Sequence, residues 1–300
     1  MDRFTLIVRG AHLGFVIAAT AIYALSLVLA GARLRAIGRA LGASASICQT
    51  TGIVMAGIFA NNITPLGHVG GELFRLTLLR NRVRLGLGRA MLTSALDRAV
   101  EVIPITLVVI LALPSLAGFK IAWWIAGVGF LTLCVAILHA LRSDWFARLW
   151  VARILRSTKV RLVTMVPGVS WATAIWIQDL TRLALITRAF DIKLSISQLA
   201  ALAVVQVLGG LSPTPGGLGA VEGGLCATLH LFGVGTQTAL AITLTERAIS
   251  YGMATLLGGI ATFTMGGTQL WKLSRSRSSA TGICRESEES RSTSAISRDS

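Results

Sequence analysis

Predominantly apolar blocks of about 20 residues, the length that carries a helix across the hydrocarbon core of a bilayer, recur along this chain. Ala11 to Ala30, Ile121 to Leu141 and Val163 to Ile186 are three of them. Hydrophobic residues make up 54% of the sequence and charged residues only 14%, where an average soluble domain has about 25% charged. A soluble fold of this size has no way to keep that surface out of water. The pattern therefore predicts an all-α, polytopic (multi-pass) helical membrane protein with spans at about 11–31, 90–113, 121–141, 163–186 and 238–268. Arg3 and Arg9 before the first apolar run resemble a secretory signal, but Arg33, Arg35 and Arg39 follow that run in place of a small-residue cleavage site, so it reads as a first span.

Charge and cysteines narrow the classes further. The net charge of +15 sits in short segments between apolar blocks, which reads as topology signals and contacts to lipid headgroups, not as a nucleic-acid footprint. Cys48, Cys134, Cys226 and Cys284 are scattered, with no close pair and no histidine cluster, so neither a disulfide framework, a metal nor a cofactor is expected.

Two apolar regions are broken. Ser44 to Leu79 is interrupted by Asn61-Asn62-Ile63-Thr64-Pro65, and Ile196 to Phe232 by Gly209-Gly210-Leu211-Ser212-Pro213-Thr214-Pro215. Each second arm is short and rich in glycine. A helix, a Pro/Gly break and a short returning helix is the pattern of a re-entrant hairpin, which survives at membrane depth only where protein or a watery cavity satisfies the freed backbone groups. Arg33 to Arg39, Arg80 to Arg89, Arg142 to Arg161 and the tail from Lys272 are basic, whereas 114–120 and 187–195 are poorer, so the positive-inside rule places the first four in the cytoplasm and the last two outside. The two hairpins then enter from opposite sides. The linker 142–161, with Trp145, Phe146, Leu149 and Trp150, fits an interfacial helix. Residues 272–300, dominated by Ser, Arg and Glu, are expected to be a disordered cytoplasmic tail on a cell-membrane domain of residues 1–271.

The halves echo each other. Setting Thr64 beside Thr214 aligns Pro65 with Pro215, Gly67 with Gly217 and Glu72 with Glu222 at one offset, 214 minus 64, or 150. Asp97-Arg98 and Glu246-Arg247 follow in the next span of each half with a slip of one residue. Weak internal symmetry, paired broken helices and opposite entry sides predict two inverted repeats, about 11–113 and 163–268.

At these residues the sequence resembles the lysylphosphatidylglycerol synthase transmembrane region, or flippase-like domain, family. The stretches that carry the resemblance are Asn61 to Arg75 with Asp97-Arg98, and Ser212 to Glu222 with Glu246-Arg247. The resemblance covers nearly the whole chain apart from the tail and implies a lipid-handling membrane domain. Neither the soluble aminoacyl transferase nor the soluble glycosyltransferase domain of some relatives is found in this sequence, so no enzymatic activity is carried over.

Ionisable side chains at bilayer depth are costly unless paired or hydrated, which makes them functional candidates. The candidates for binding a substrate are Asn62, Pro65, Glu72, Arg75, Asp97, Arg98, Asp179, Arg182, Pro215, Glu222, Glu246 and Arg247. Spacing puts Glu72 with Arg75, Asp97 with Glu101, and Asp179 with Arg182 on shared helix faces. Arginine suits a lipid phosphate because its planar fork donates two parallel hydrogen bonds. The expected function is a lipid transporter, flippase or scramblase-like, moving a phospholipid or glycolipid headgroup between leaflets. Its partners are then membrane lipids, anionic or phosphate-bearing, with no nucleic acid. No Gly-x-x-x-x-Gly-Lys-Ser/Thr phosphate loop is present to hydrolyse ATP. A membrane-embedded enzyme on a polyprenyl phosphate, and a scaffold for a separate lipid-modifying enzyme, stand as alternatives.

Overall fold

A computed structural model of the chain describes residues 7, 10–64, 68–116 and 166–265. The expected span 121–141, the linker 142–161, the tail and Pro65 lie outside the described residues. Among those described, the secondary structure is helical, with α1 (Leu13–Ala40), α2 (Ile47–Ile63), α3 (His68–Arg82), α4 (Leu87–Ala99), α5 (Val102–Leu116), α6 (Val166–Ala189), α7 (Ile196–Gly210), α8 (Ala220–Leu231), α9 (Thr236–Arg247) and α10 (Ala254–Thr264). A 3₁₀ turn at Pro215–Gly217 precedes α8, and a π-helical turn at Ala248–Met253 joins α9 to α10.

Local chemistry starts and stops these helices at matching places in the two halves. Ser46 and Gln49 form a capping box at the start of α2, and Ser195 and Gln198 form another at the start of α7, 149 positions on. Past α1 the chain turns through Gly42 at φ 85°, with the Ala43 N–H donating to Gly38 O; past α6 it turns through Asp191 at φ 60°, with the Ile192 N–H donating to Thr187 O. Arg84 (φ 58°) after α3 and Gly233 (φ 84°) after α8 stand at the same separation. Caps and turns thus recur at one separation of 149 residues.

α1 and α6 pack against each other and run antiparallel: the His12 N–H donates to Ala189 O at 2.8 Å, while Ile37, near the other end of α1, lies against Gly168 at the start of α6. α1 also packs on α2 and α4, as α6 packs on α7 and α9. The last helix of each half crosses over, α5 onto α7 and α10 onto α2. Loops gather accordingly at two ends. His12, Ser115, Asp191 and Ser197 share one, tied by the Ser115 hydroxyl on Ser197 O and by His12–Asp191 at 3.4 Å. Gly42, Arg82, Arg89 and Met265 share the other, where the Arg82 guanidinium caps the last turn of α10 through Met265 O.

α1, with 28 residues, spans about 42 Å at the helical rise of 1.5 Å per residue and is apolar enough to cross a bilayer. The arms of the broken regions are far shorter. α3 has 15 residues and α8 has 12, about 22 and 18 Å. Each folds back on the helix before it with almost no space between them. A Cβ at Gly71 would overlap Gly57 O, and one at Gly209 would lie 2.9 Å from the Val221 Cα. The exterior is lipid-like in character: Ile17, Leu25, Ile103, Leu107, Ile177 and Leu256 all face outward. Buried leucine, isoleucine and alanine fill the interior around α6, α7, α8 and α9.

One expected span is corrected. Residues 90–113 do not form a single helix; α4 ends at Ala99 and α5 begins at Val102. Pro104 explains the break, because it has no N–H to donate to Val100 O and its ring would strike that carbonyl four residues back. In the second half the matching junction is the π-helical turn, so the expected span 238–268 is continuous but locally overwide over the residues described.

Candidate functional site

A buried acid at the end of α4 organises the first half. Asp97 is 0% exposed and accepts from Arg33 Nε at 2.8 Å, Arg33 NH2 at 3.1 Å and Arg75 NH2 at 2.6 Å. The helix break then turns Glu101 back toward Arg33 NH2 at 2.6 Å and Arg98 NH1 at 3.1 Å. Glu72, on α3, takes Arg98 at 2.6 Å, lies 3.8 Å from Arg75 and accepts from the Ser94 hydroxyl. Three guanidinium groups and three carboxylates therefore form one network, with Arg75 Nε left without a hydrogen-bond partner among the described residues. Removing charges from water costs several kcal/mol each, and only such mutual satisfaction makes the arrangement tolerable.

The second half repeats the motif with different neighbours. Arg182 NH1 meets Glu246 at 2.6 Å and NH2 meets Asp179 at 2.6 Å. Arg33–Asp97 and Arg182–Glu246 are both 64 residues apart in sequence, and Arg33 and Arg182 each stand seven residues before the end of their helices, Ala40 and Ala189. Arg247 Nε meets Glu222 at 2.7 Å, as Arg98 meets Glu72, and its NH2 donates to Gly216 O at 2.9 Å. The Arg182 and Arg247 guanidinium carbons lie 5.4 and 5.0 Å from the centres of the Tyr23 and Tyr251 rings, where the ring quadrupole attracts a cation. Glu222 also closes the start of α8 by accepting from the Gly219 N–H at 2.6 Å.

Between the two clusters lie the tips of the broken regions. Asn62 Nδ2 donates to Thr255 Oγ1 at 2.8 Å, and Asn62 O accepts from the Tyr251 hydroxyl at 3.1 Å. Pro215 opens the 3₁₀ turn whose Gly216 (φ 56°) passes so near that a Cβ there would lie 2.9 Å from Asn62 Oδ1. Glycine is required twice over at this point, by its left-handed backbone and by the contact.

Ten of the twelve sequence candidates thus enter the two ion-pair clusters or the tip contact, and Pro215 stands at the tip itself; Pro65 is outside the described residues. Glu72 with Arg75 and Asp179 with Arg182 share a helix face as expected; Asp97 and Glu101 do not, because α4 ends at Ala99, and they are linked instead through Arg33. Glu72 and Glu222, however, do not meet: each is held by the arginine of its own half. Arg33 is the residue that sequence reasoning misplaced. Grouped with Arg35 and Arg39 as a cytoplasmic basic segment, it instead lies inside α1, 5% exposed, because Asp97 requires a counter-charge. The signal was present, since Arg182 and Glu246 had been singled out and moving Arg182 back by 149 positions lands on Arg33. Tyr23, Ser94 and Tyr251 carried no such signal.

A helical bundle that faces apolar side chains outward and keeps its charges paired inside defines an all-helical membrane protein. More narrowly, the chain belongs to the lysylphosphatidylglycerol synthase TM region family, which it matches over residues 1–258. It is similar to a UPF0104 membrane protein of Methanocaldococcus jannaschii, 25% identical over 87% of this chain and 88% of the relative. Similar again are those of Methanothermobacter thermautotrophicus, at 26% over 69% and 72%, and of Pyrococcus horikoshii, at 23% over 87% and 90%. No solved structure matches the chain.

Proposed function

We propose that this protein moves a phosphate-bearing phospholipid or glycolipid headgroup between the leaflets of the cell membrane, through a polar path between two re-entrant hairpins of inverted repeats, without making or breaking bonds in the lipid. The observation that carries this reading is the duplicated pair Arg98–Glu72 and Arg247–Glu222, each linking a short hairpin arm to the following helix and each backed by a buried arginine–acid pair. A guanidinium held by an acid in a low dielectric can exchange that acid for a phosphate of similar geometry. Arg98 is 53% exposed at the side chain, so such an exchange is sterically open to it.

Three further features support the inverted-repeat arrangement. α1 and α6 are equivalent helices running in opposite directions; α3 and α8 are too short to cross a bilayer; and the tips meet at Asn62 and Gly216 from opposite ends. These are the features of transporters that bind their substrate between broken helices near mid-bilayer. With the end bearing Arg80 to Arg89 in the cytoplasm, Met265 at the close of α10 lies on the same side.

Reconstitution tests this directly. Purified protein in vesicles containing a fluorescent phosphatidylglycerol analogue is expected to expose inner-leaflet probe to an outside quencher faster than protein-free vesicles. No acceleration for any phosphate-bearing headgroup, with the lipid chemically unchanged, rejects transport in favour of a scaffold; a converted lipid points to the membrane-embedded enzyme.

A further inference from the structure

One side chain that belongs to neither broken region sits between the tips of both. Tyr251 lies in the π-helical turn Ala248–Met253. Its ring packs on the second tip, where a Cβ at Gly216 would collide with it, and on the Arg247 guanidinium, whose carbon is 5.0 Å from the ring centre. Its hydroxyl serves the first tip, donating to Asn62 O at 3.1 Å. Asn62 is the second-to-last residue of α2, so the helix leaves that carbonyl without an N–H of its own.

Two further contacts close the junction. Thr255 Oγ1 donates to Tyr251 O at 2.6 Å and accepts from Asn62 Nδ2 at 2.8 Å, which leaves Asn62 Oδ1 facing Gly216. Arg247 holds the other side, with NH2 on Gly216 O at 2.9 Å and Nε on Glu222 at 2.7 Å. Tyr251 therefore stands between Arg247 and the end of α2. The first half has no counterpart: counting back 149 positions, Arg247 falls on Arg98, but Tyr251 falls on Val102, which has neither a ring nor a hydroxyl.

We infer that Tyr251 is a positioning residue that couples Arg247 to the first tip, so that the two tips loosen together when Arg247 lets go of Gly216. Ring and hydroxyl have separate tasks. The ring attracts the guanidinium through its quadrupole and keeps it beside Gly216 O. The hydroxyl holds the end of α2. A phosphate that draws Arg247 away from Glu222 and Gly216 also takes the guanidinium off the ring, which leaves Tyr251 held from one side and weakens its grip on Asn62. In its use for moving lipid this inference rests on the transport reading above; the coupling itself is measured without any lipid movement.

Hydrogen–deuterium exchange of the full chain in phosphatidylglycerol/phosphatidylcholine nanodiscs, read by mass spectrometry, tests it. Tyr251→Phe keeps the ring and removes the hydroxyl, and is expected to speed exchange at residues 58–63 about fivefold, as the loss of one hydrogen bond predicts. Residues 212–219 and the starts of α2 and α7 are expected to stay as they were. Arg247→Lys is expected to speed exchange at 212–219 and, through Tyr251, at 58–63; the second effect is expected to vanish when Arg247→Lys is made in Tyr251→Phe. Unchanged exchange at 58–63 in Tyr251→Phe overturns the inference, as does an Arg247→Lys effect confined to 212–219 or one that simply adds to that of Tyr251→Phe. A rise that extends to the starts of α2 and α7 marks general loosening and overturns it too. The expected pattern alongside unaccelerated lipid movement keeps the coupling and rejects the transport reading; accelerated movement without the pattern does the reverse.

Discussion

Arg33 grips Asp97 with both prongs of its guanidinium, Nε to Oδ1 at 2.8 Å and NH2 to Oδ2 at 3.1 Å, across 64 residues of chain. The pair joins α1 to the end of α4 inside an apolar bundle, where neither partner has water to fall back on. Breaking a buried pair from one side typically costs about 3–5 kcal/mol because the survivor stays charged. Asp97 keeps Arg75, so Arg33→Leu is expected to lie near the lower figure. Thermal unfolding in detergent checks this: Arg33→Leu lowers the midpoint sharply, and the double variant Arg33→Leu/Asp97→Asn loses less than the two single losses combined. A single variant as stable as the parent would show that the pair holds nothing together.

Hairpin closure makes a second expectation. A Cβ at Gly71 would run into Gly57 O and the Asn61 side chain, whereas one at Gly223 meets nothing within 4 Å among the described residues. Gly71→Ala is expected to destabilise by about 1–3 kcal/mol through overpacking. Gly223→Ala, in the matching hairpin, is expected to be neutral or to gain up to about 1 kcal/mol of helix propensity. Equal effects in the two variants would contradict the close packing of α2 on α3.

Sidedness is tested by single cysteines. Arg84 and Lys193 are both exposed and lie at opposite ends of the antiparallel pair α1 and α6. In a background without Cys48, Cys134, Cys226 and Cys284, a membrane-impermeant thiol reagent applied to intact cells is expected to label Lys193→Cys and spare Arg84→Cys. Labelling of both from outside would reject the inverted arrangement.

The helical class, the breaks at Asn61 to Pro65 and Gly209 to Pro215, and most of the charged candidates were legible because each rests on a local rule: apolar length, Pro/Gly punctuation, and the cost of charge in an apolar interior. The offset linking Glu72 to Glu222 pointed to the matching ion pairs Arg98–Glu72 and Arg247–Glu222. What stayed hidden was partner choice. Arg33 has the same neighbours in sequence whether it lies on a cytoplasmic surface or inside the bundle, and only the approach of α4 to α1 decides which. The break at Val100 was hidden for a different reason: the apolar run continues through it, and the effect of Pro104 falls four residues upstream of the proline itself. Tyr251 reaches Asn62 across 189 residues, a contact with no periodicity to announce it.

Arg98 and Arg247 occupy equivalent places but different surroundings, and the difference sharpens the test of their role. Among the described residues Arg98 is held only by the carboxylates Glu72 and Glu101 and is half exposed, whereas Arg247 is 14% exposed at the side chain, lies against the Tyr251 ring and also holds Gly216 O at the second tip. Replacing either by lysine keeps the charge and removes the planar fork. If the arginines act only as counter-charges, both variants retain lipid movement. If they receive a phosphate bidentately, Arg98→Lys is expected to lower the rate about tenfold or more at unchanged thermal stability, since about 1.4 kcal/mol of lost interaction corresponds to a factor of ten. Arg247→Lys is expected to lower both the rate and the unfolding temperature, because lysine cannot bridge Glu222 and Gly216 together. Full transport in Arg98→Lys, with normal protein levels in the vesicles, would remove this residue from the headgroup path.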